Sequence, residues 1–248
     1  MKRSPLLISL VLCPALWLTA CAKPAGGPLS HTFDNTRLAS VGLESKQAVA
    51  EAQQQHDLAV QQHAKAEDDF RGAEIEEEVA QYQAEHAVLV VQLVGNKLND
   101  KPQLSGETSA LARRAADAKV EFMRARRVYL AALSNSTYYA VYAAQAKLEL
   151  ERAKVAQSSG VAGAGFDLSG FQTQAEQRER AAASATAETD KQHEAAGNKL
   201  AAWSEAERAF IQTSGMKGPS ESARAVLEWK QPTPAAKPSV EASAPAAK

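Results

Sequence analysis

Apolar side chains recur along the chain at spacings that alternate between three and four residues. In the first half, alanine occupies every seventh position, at Ala52, Ala59, Ala66, Ala73, Ala80 and Ala87. A second series follows the same period, at Leu111, Ala118, Ala125, Ala132, Tyr139, Ala146 and Ala153. A sustained three-four alternation is the heptad seam of a coiled coil. The pattern predicts two long helices that pair through a narrow alanine seam.

Breaks in the pattern divide the chain into segments. Residues 37–157 are predicted to form one long helical hairpin, with its turn at about 99–106 around Asn99-Asp100-Lys101-Pro102. A Gly-rich linker follows at 158–170, and then a third helix and a short helix within 171–230. The prediction is an all-α fold: an elongated, alanine-rich antiparallel coiled-coil hairpin with a third packed helix and disordered ends.

Polar positions on the seam predict where the two arms of the hairpin meet. Folding the chain near residue 104 places Phe70 beside Tyr139 and brings Glu77 level with a polar run. That run is Ser134, Asn135, Ser136 and Thr137. A buried carboxylate needs hydrogen-bond donors, so the expectation is a polar layer around Glu77. Such a layer fixes the alignment of the helices or forms a ligand site.

A second apolar stripe lies outside the seam of the first helix, at Ile75, Val79, Tyr82, Leu89 and Leu93. A helix with two apolar faces is covered by more than one neighbour. The third helix and a second copy of the chain are both candidates for that role.

The N-terminus has the features of a targeting signal. Lys2 and Arg3 precede an apolar run from Leu6 to Leu18, the layout of a secretory signal. Its length of about 13 residues is short of the ~20 that span a bilayer. The following Leu18-Thr19-Ala20-Cys21 resembles the lipobox of bacterial lipoproteins.

This resemblance implies that residues 1–20 are a signal peptide and that Cys21 is acylated. Because Ala22 rather than Asp follows Cys21, the resemblance further implies an outer-membrane protein that faces the periplasm. Residues 21–36 are then predicted to be a flexible tether, and the proline-rich residues 231–248 a disordered tail.

Composition excludes several classes of function. Loss of Lys2 and Arg3 with the signal peptide leaves 26 of the 28 basic residues against 29 acidic ones, which argues against nucleic-acid binding. Cys13 and Cys21 are the only cysteines, so the mature chain has no thiol for catalysis. His56 and His63 are about 10.5 Å apart along a helix, too far to share one ion. We expect no enzyme, no cofactor and no metal site.

Residues 67–78 are mostly acidic, and the sign of the charge reverses near the predicted turn, where basic residues concentrate. The candidate partner-binding residues are Lys97, Lys101, Arg113 and Arg114. The favoured hypothesis is a lipid-anchored periplasmic rod that docks or scaffolds an envelope complex, or associates with its own copies. The alternative is a small-molecule or ion-binding helical module that uses the polar layer of Glu77, Ser134, Asn135 and Ser136. An accessory lipoprotein of an envelope enzyme is a third reading.

Overall fold

Four α-helices make up nearly all of the described protein. A computed structural model describes residues 27–87, 89, 106–163, 165–215 and 220–229. The helices are α1 (Gln47–Glu85), α2 (Gly106–Ser158), α3 (Leu168–Ser214) and α4 (Glu221–Trp229), preceded by two short 3-10 helices at Asn35–Leu38 and Glu44–Lys46. The described residues contain no strand, so the predicted all-α class is confirmed.

Helix α2 is the centre of the architecture. It packs against α1 on one side and α3 on the other, whereas α1 and α3 do not pack along each other. Its 53 residues span about 80 Å at 1.5 Å per residue. The protein is therefore an open layer of three long helices, with α4 resting on one end.

The alanine seam lies where the heptads predict it. In α1, Ala52, Ala59, Ala66, Ala73 and Ala80 are all buried. In α2, Ala146 and Ala153 of the predicted series are buried, while Leu111, Ala118, Ala125, Ala132 and Tyr139 are half-buried. The alternate positions of the same heptads, at Ala115, Phe122, Tyr129 and Ser136, are buried as well. Alanine allows two helix axes to approach closely, and dispersion contacts along the full length of the arms compensate for the small area that each methyl group buries.

The register of the two arms differs from the prediction by roughly two helical turns, because Glu77 meets Arg127 instead of the run at 134–137. His63 Nδ1 lies 3.2 Å from Thr137 Oγ1, and Arg127 Nε donates to Glu77 Oε2 at 2.6 Å. Phe70 packs against the cluster that contains Tyr129 and Leu130 instead of lying opposite Tyr139. An alanine seam offers similar packing at neighbouring registers, so long polar side chains decide the alignment. Residues 99–105 of the predicted turn lie outside the described residues.

The N-terminal segment is docked over residues 27–46, where the sequence predicts a tether as far as 36. The backbone N–H of Phe33 donates to the buried carboxylate of Glu149 at 2.6 Å. Gln174 Oε1 accepts from the N–H groups of Ser30 and His31 at 2.8 and 2.9 Å. Phe33, Leu38 and Val41 join one apolar cluster with residues at the C-terminal end of α2 and the start of α3. Those apolar side chains hold the segment down, and only residues 21–26 of the predicted tether lie outside the described chain.

Helix α3 begins within the predicted Gly-rich linker. Asp167 caps it by accepting from Ser169 N at 2.9 Å, so the helix starts at Leu168 rather than at 171. Phe166 and Phe171 stack across this start, with ring centroids 5.7 Å apart. Gly215 ends the helix in the left-handed conformation at φ 65°, as a C-terminal glycine does. The predicted tail at 231–248 lies outside the described residues.

Candidate functional site

Glu77 forms a charged layer between α1 and α2. Its side chain is buried, with the residue only 6% exposed. Arg127 Nε donates to one carboxylate oxygen at 2.6 Å, while Arg124 Nε, at 3.4 Å, and Gln81 Nε2, at 3.0 Å, donate to the other. Both oxygens are therefore occupied by groups of the protein itself, as a buried carboxylate requires.

The structure does not bring the predicted polar run to Glu77. Ser136 Oγ donates to the carbonyl of Leu133 within its own helix at 3.0 Å. Thr137 Oγ1 also bonds within α2 and meets His63 rather than Glu77. Ser134 is half-buried and Asn135 is exposed. Hydroxyl groups that hydrogen-bond within their own helix need no partner across the seam. They therefore do not oppose the register that Arg124 and Arg127 set through Glu77.

Acidic residues of α1 form ion pairs with basic residues of α2. Glu76 pairs with Arg126, next to the pairs that Glu77 makes with Arg127 and Arg124. Further along, Lys119 pairs with Glu221 of α4 at 2.5 Å. Much of the basic cluster therefore neutralises α1 and α4 and is not available to a partner.

Two of the predicted partner-binding residues do remain available. Arg113 and Arg114 are exposed near the start of α2, and neither forms an ion pair with another described residue. Lys97 and Lys101, predicted for the same surface, lie outside the described residues, and so does Cys21. The described part of the basic surface is therefore the pair Arg113 and Arg114, which we call the basic end of α2.

An aromatic cavity lies where α4 meets the three long helices. Trp229 is its centre: the His193 ring stacks on it at 4.6 Å, and Tyr129 and Phe122 meet it edge-on at 5.4 and 5.8 Å. The cavity measures about 330 Å³, and Arg126, Glu76, Asp69 and Glu228 line its polar side. Burial lowers the pKa of Arg126, and the carboxylates of Asp69 and Glu228 oppose that shift. Because Glu76 already engages Arg126, the cavity presents aromatic faces and acidic groups.

Helix α4 is held in place by a carboxylate of another helix. Glu207 on α3 accepts from the backbone N–H groups of Glu221 and Ser222 at 3.1 and 3.0 Å. The hydroxyl groups of Ser220 and Ser222 also donate to it. Burial opposes ionisation of Glu207, but these hydrogen bonds outweigh it and leave the pKa below its ordinary value. This cap joins residues from two helices, so no local motif in the sequence could have revealed it.

The predicted histidines do not converge. His56 Nδ1 lies beside Asp57 at 3.3 Å, His63 contacts Thr137, and His193 belongs to the cavity at Trp229. Within the described ranges, no three His, Cys, Asp or Glu side chains are grouped so as to hold a metal ion. A search of the same residues for a helix long and apolar enough to cross a membrane finds none.

Comparison with protein-family models, with curated proteins and with solved structures gives no match for this chain. Function is therefore inferred from its own residues.

Proposed function

We propose that the protein is a non-enzymatic, lipid-anchored periplasmic rod in the outer membrane that docks or scaffolds an envelope complex. The observation that carries this proposal is the docking of the N-terminal segment at one end of the helix layer. Phe33 is bonded to Glu149 of α2, and Arg178 of α3 donates to the carbonyl of Gly27 at 2.8 Å. The described chain thus starts beside Arg178, about 15 Å along α3 from Leu168, and runs from there to the end where α2 finishes and α3 begins.

This arrangement limits the distance between the proposed anchor and the rod. Gly27 is the sixth residue after Cys21, and an extended chain of that length reaches at most about 20 Å. An acyl group on Cys21 would hold this end of the rod close to the membrane surface. Along α2 from Glu149 to Arg113, the helix rises about 54 Å. The basic end of α2 is therefore presented far from the anchor, where it can reach an acidic partner.

In-cell photocrosslinking tests the docking function. A photoreactive residue replaces Ala110, which is exposed beside Arg113 and Arg114, or Ala183, an equally exposed alanine of α3 that serves as the matched control. We expect one reproducible partner from position 110 and none from 183. The crosslink should disappear in Arg113→Glu/Arg114→Glu, and also in Cys21→Ser, which should leave the membrane fraction. Equal products from both positions, or a 110 product that ignores both variants, would contradict the proposal.

Binding of a small molecule is the second candidate function, and the aromatic cavity at Trp229 is the observation that favours it. The polar layer gives it no support, because Arg127, Arg124 and Gln81 already occupy the carboxylate of Glu77. Aromatic faces beside acidic groups suit an organic cation. A panel of aromatic amines should raise the melting temperature of the wild-type protein and not of Trp229→Ala. A panel without effect on either protein removes this candidate.

A further inference from the structure

The face of α1 that points away from α2 is apolar and uncovered. Ile75, Val79 and Tyr82 are 63%, 49% and 66% exposed. Their spacing of four and three residues places them on one stripe of the helix, on the side opposite Ala73 and Ala80 of the seam. We call these three residues the outer stripe of α1. Because α3 packs along α2 and not along α1, no long helix in the described structure covers the stripe.

A row of glutamates runs along one edge of the outer stripe. Glu67, Glu74, Glu78 and Glu85 follow at spacings of seven, four and seven residues, and all are exposed. The row contrasts with Glu76 and Glu77 on the α2 side, which arginines of α2 neutralise. Among the described residues, Glu74, Glu78 and Glu85 form no ion pair. The outward half of α1 therefore combines an apolar stripe with a net negative charge, since the exposed Arg71 beside it already pairs with Asp68.

We propose that the outer stripe of α1 docks a basic amphipathic helix of a partner protein. This inference rests on the proposed docking function and adds a second contact surface to it, distinct from the basic end of α2. An apolar helix face buries Ile75, Val79 and Tyr82, and lysine or arginine at its flanks pairs with the glutamate row, as flanking charges select partners in coiled coils.

Charge decides against a second copy of this chain as the occupant. Two α1 helices packed antiparallel through their outer stripes would bring the same glutamate rows together. Like charges across a helix interface act against pairing. The basic residues of α2 that could compensate face inward: Arg124, Arg126 and Arg127 are paired with glutamates of the protein itself. The complementary surface must therefore come from a different, basic helix.

The test uses the full mature protein and two synthetic helices as probes. Both peptides carry four heptads with leucine on the apolar face; one has lysine at the flanking positions and the other has glutamate. We expect the lysine peptide to bind, by fluorescence anisotropy, and the glutamate peptide to bind at least tenfold more weakly. Glu74→Lys/Glu78→Lys/Glu85→Lys should reverse this preference. Ile75→Ser/Val79→Ser should weaken binding of the lysine peptide at least tenfold.

A matched control distinguishes binding at the outer stripe from non-specific hydrophobic binding elsewhere on the protein. Leu227→Ser removes an exposed leucine of α4 and should leave peptide binding unchanged. Circular dichroism should show unchanged helix content and melting in every variant, because the altered side chains point away from the seam.

Two results would overturn the inference. One is binding that ignores the serine and lysine variants. The other is a concentration-dependent dimer in sedimentation that Ile75→Ser/Val79→Ser abolishes, which would make a second copy the occupant. Neither result affects the crosslink from position 110, so the proposed docking function is judged separately.

Discussion

Neutralising Glu77 should destabilise the hairpin without removing any binding activity. Glu77→Gln keeps the volume of the side chain and eliminates the charge that Arg127 and Arg124 approach at 2.6 and 3.4 Å. The wild-type carboxylate is buried, and in the variant the two guanidinium groups face an amide that can donate as well as accept. The seam therefore loses its charged layer while the alanines on either side are untouched.

The size of the effect follows from the exposure of the partners. Hydrogen bonds to a charged group contribute about 1.5–3 kcal/mol when they are well shielded. Here the side chains of Arg127 and Arg124 are 38% and 50% exposed, so water can replace part of what is lost. We expect a loss of roughly 1–2 kcal/mol, which for a chain of this size lowers the melting temperature by about 2–8 °C.

Thermal and urea unfolding followed by circular dichroism measure this loss. The matched control is Glu76→Gln, which removes the neighbouring ion pair to Arg126. Because Glu76 is half exposed, this variant should cost under about 1 kcal/mol. A double-mutant cycle with Arg127→Gln should give a coupling energy of at least ~0.5 kcal/mol for Glu77 and Arg127. Equal stability of wild type and Glu77→Gln would refute the structural role of this layer.

Three further predictions concern the ends of the rod. Glu207→Gln should cost about 1 kcal/mol of stability at pH 7 by removing the cap of α4. Because the folded pKa of Glu207 is lowered, the carboxylate contributes fully above the unfolded pKa of about 4.3, and its contribution is lost as the pH falls through the folded pKa. The melting temperatures of wild type and variant should therefore converge in acid. Gly170→Ala would place a Cβ 2.7 Å from the His31 ring and should increase hydrogen exchange across residues 28–41. The control is Gly72→Ala, where the new Cβ has open space around it. It should leave that exchange unchanged and stabilise α1 by up to ~1 kcal/mol. Trp229→Ala should cost about 2 kcal/mol by emptying the partly buried site between Phe122 and His193, and Leu227→Ala should not change the urea midpoint.

The seam could be predicted from sequence because heptad spacing is a local property. The five heptad alanines of α1 from Ala52 to Ala80 are all buried where their period requires. Glu77 also stood out, since a carboxylate in a series of small apolar residues demands partners. Which partners it has depends on the register, and an alanine seam packs almost equally well after a slip of about two turns. Arg127 and Arg124 decide that register through long side chains, which no seam pattern encodes.

The two ends of the layer depend on contacts between residues far apart in sequence. Phe33 meets Glu149 across 116 positions, so a stretch rich in proline and glycine resembled a free tether until its partners were known. The cap of α4 likewise joins Glu207 to Ser222. Exposure of the outer stripe was not predictable either, because the sequence left the third helix as a candidate to cover it. In the structure, α3 packs on α2 instead.

Distance from the membrane tests the central claim most directly. Because Cys21 would carry lipid, the mature chain offers no other thiol, and a single cysteine can be introduced for a fluorophore at Gln157, near the docked N-terminus, or at Ala110, near the basic end of α2. These positions are about 70 Å apart along α2. With the lipidated protein in vesicles that contain quencher lipids, an anchored and projecting rod predicts strong quenching at 157 and little at 110. Equal quenching at both positions would show a rod lying along the bilayer and would contradict the account.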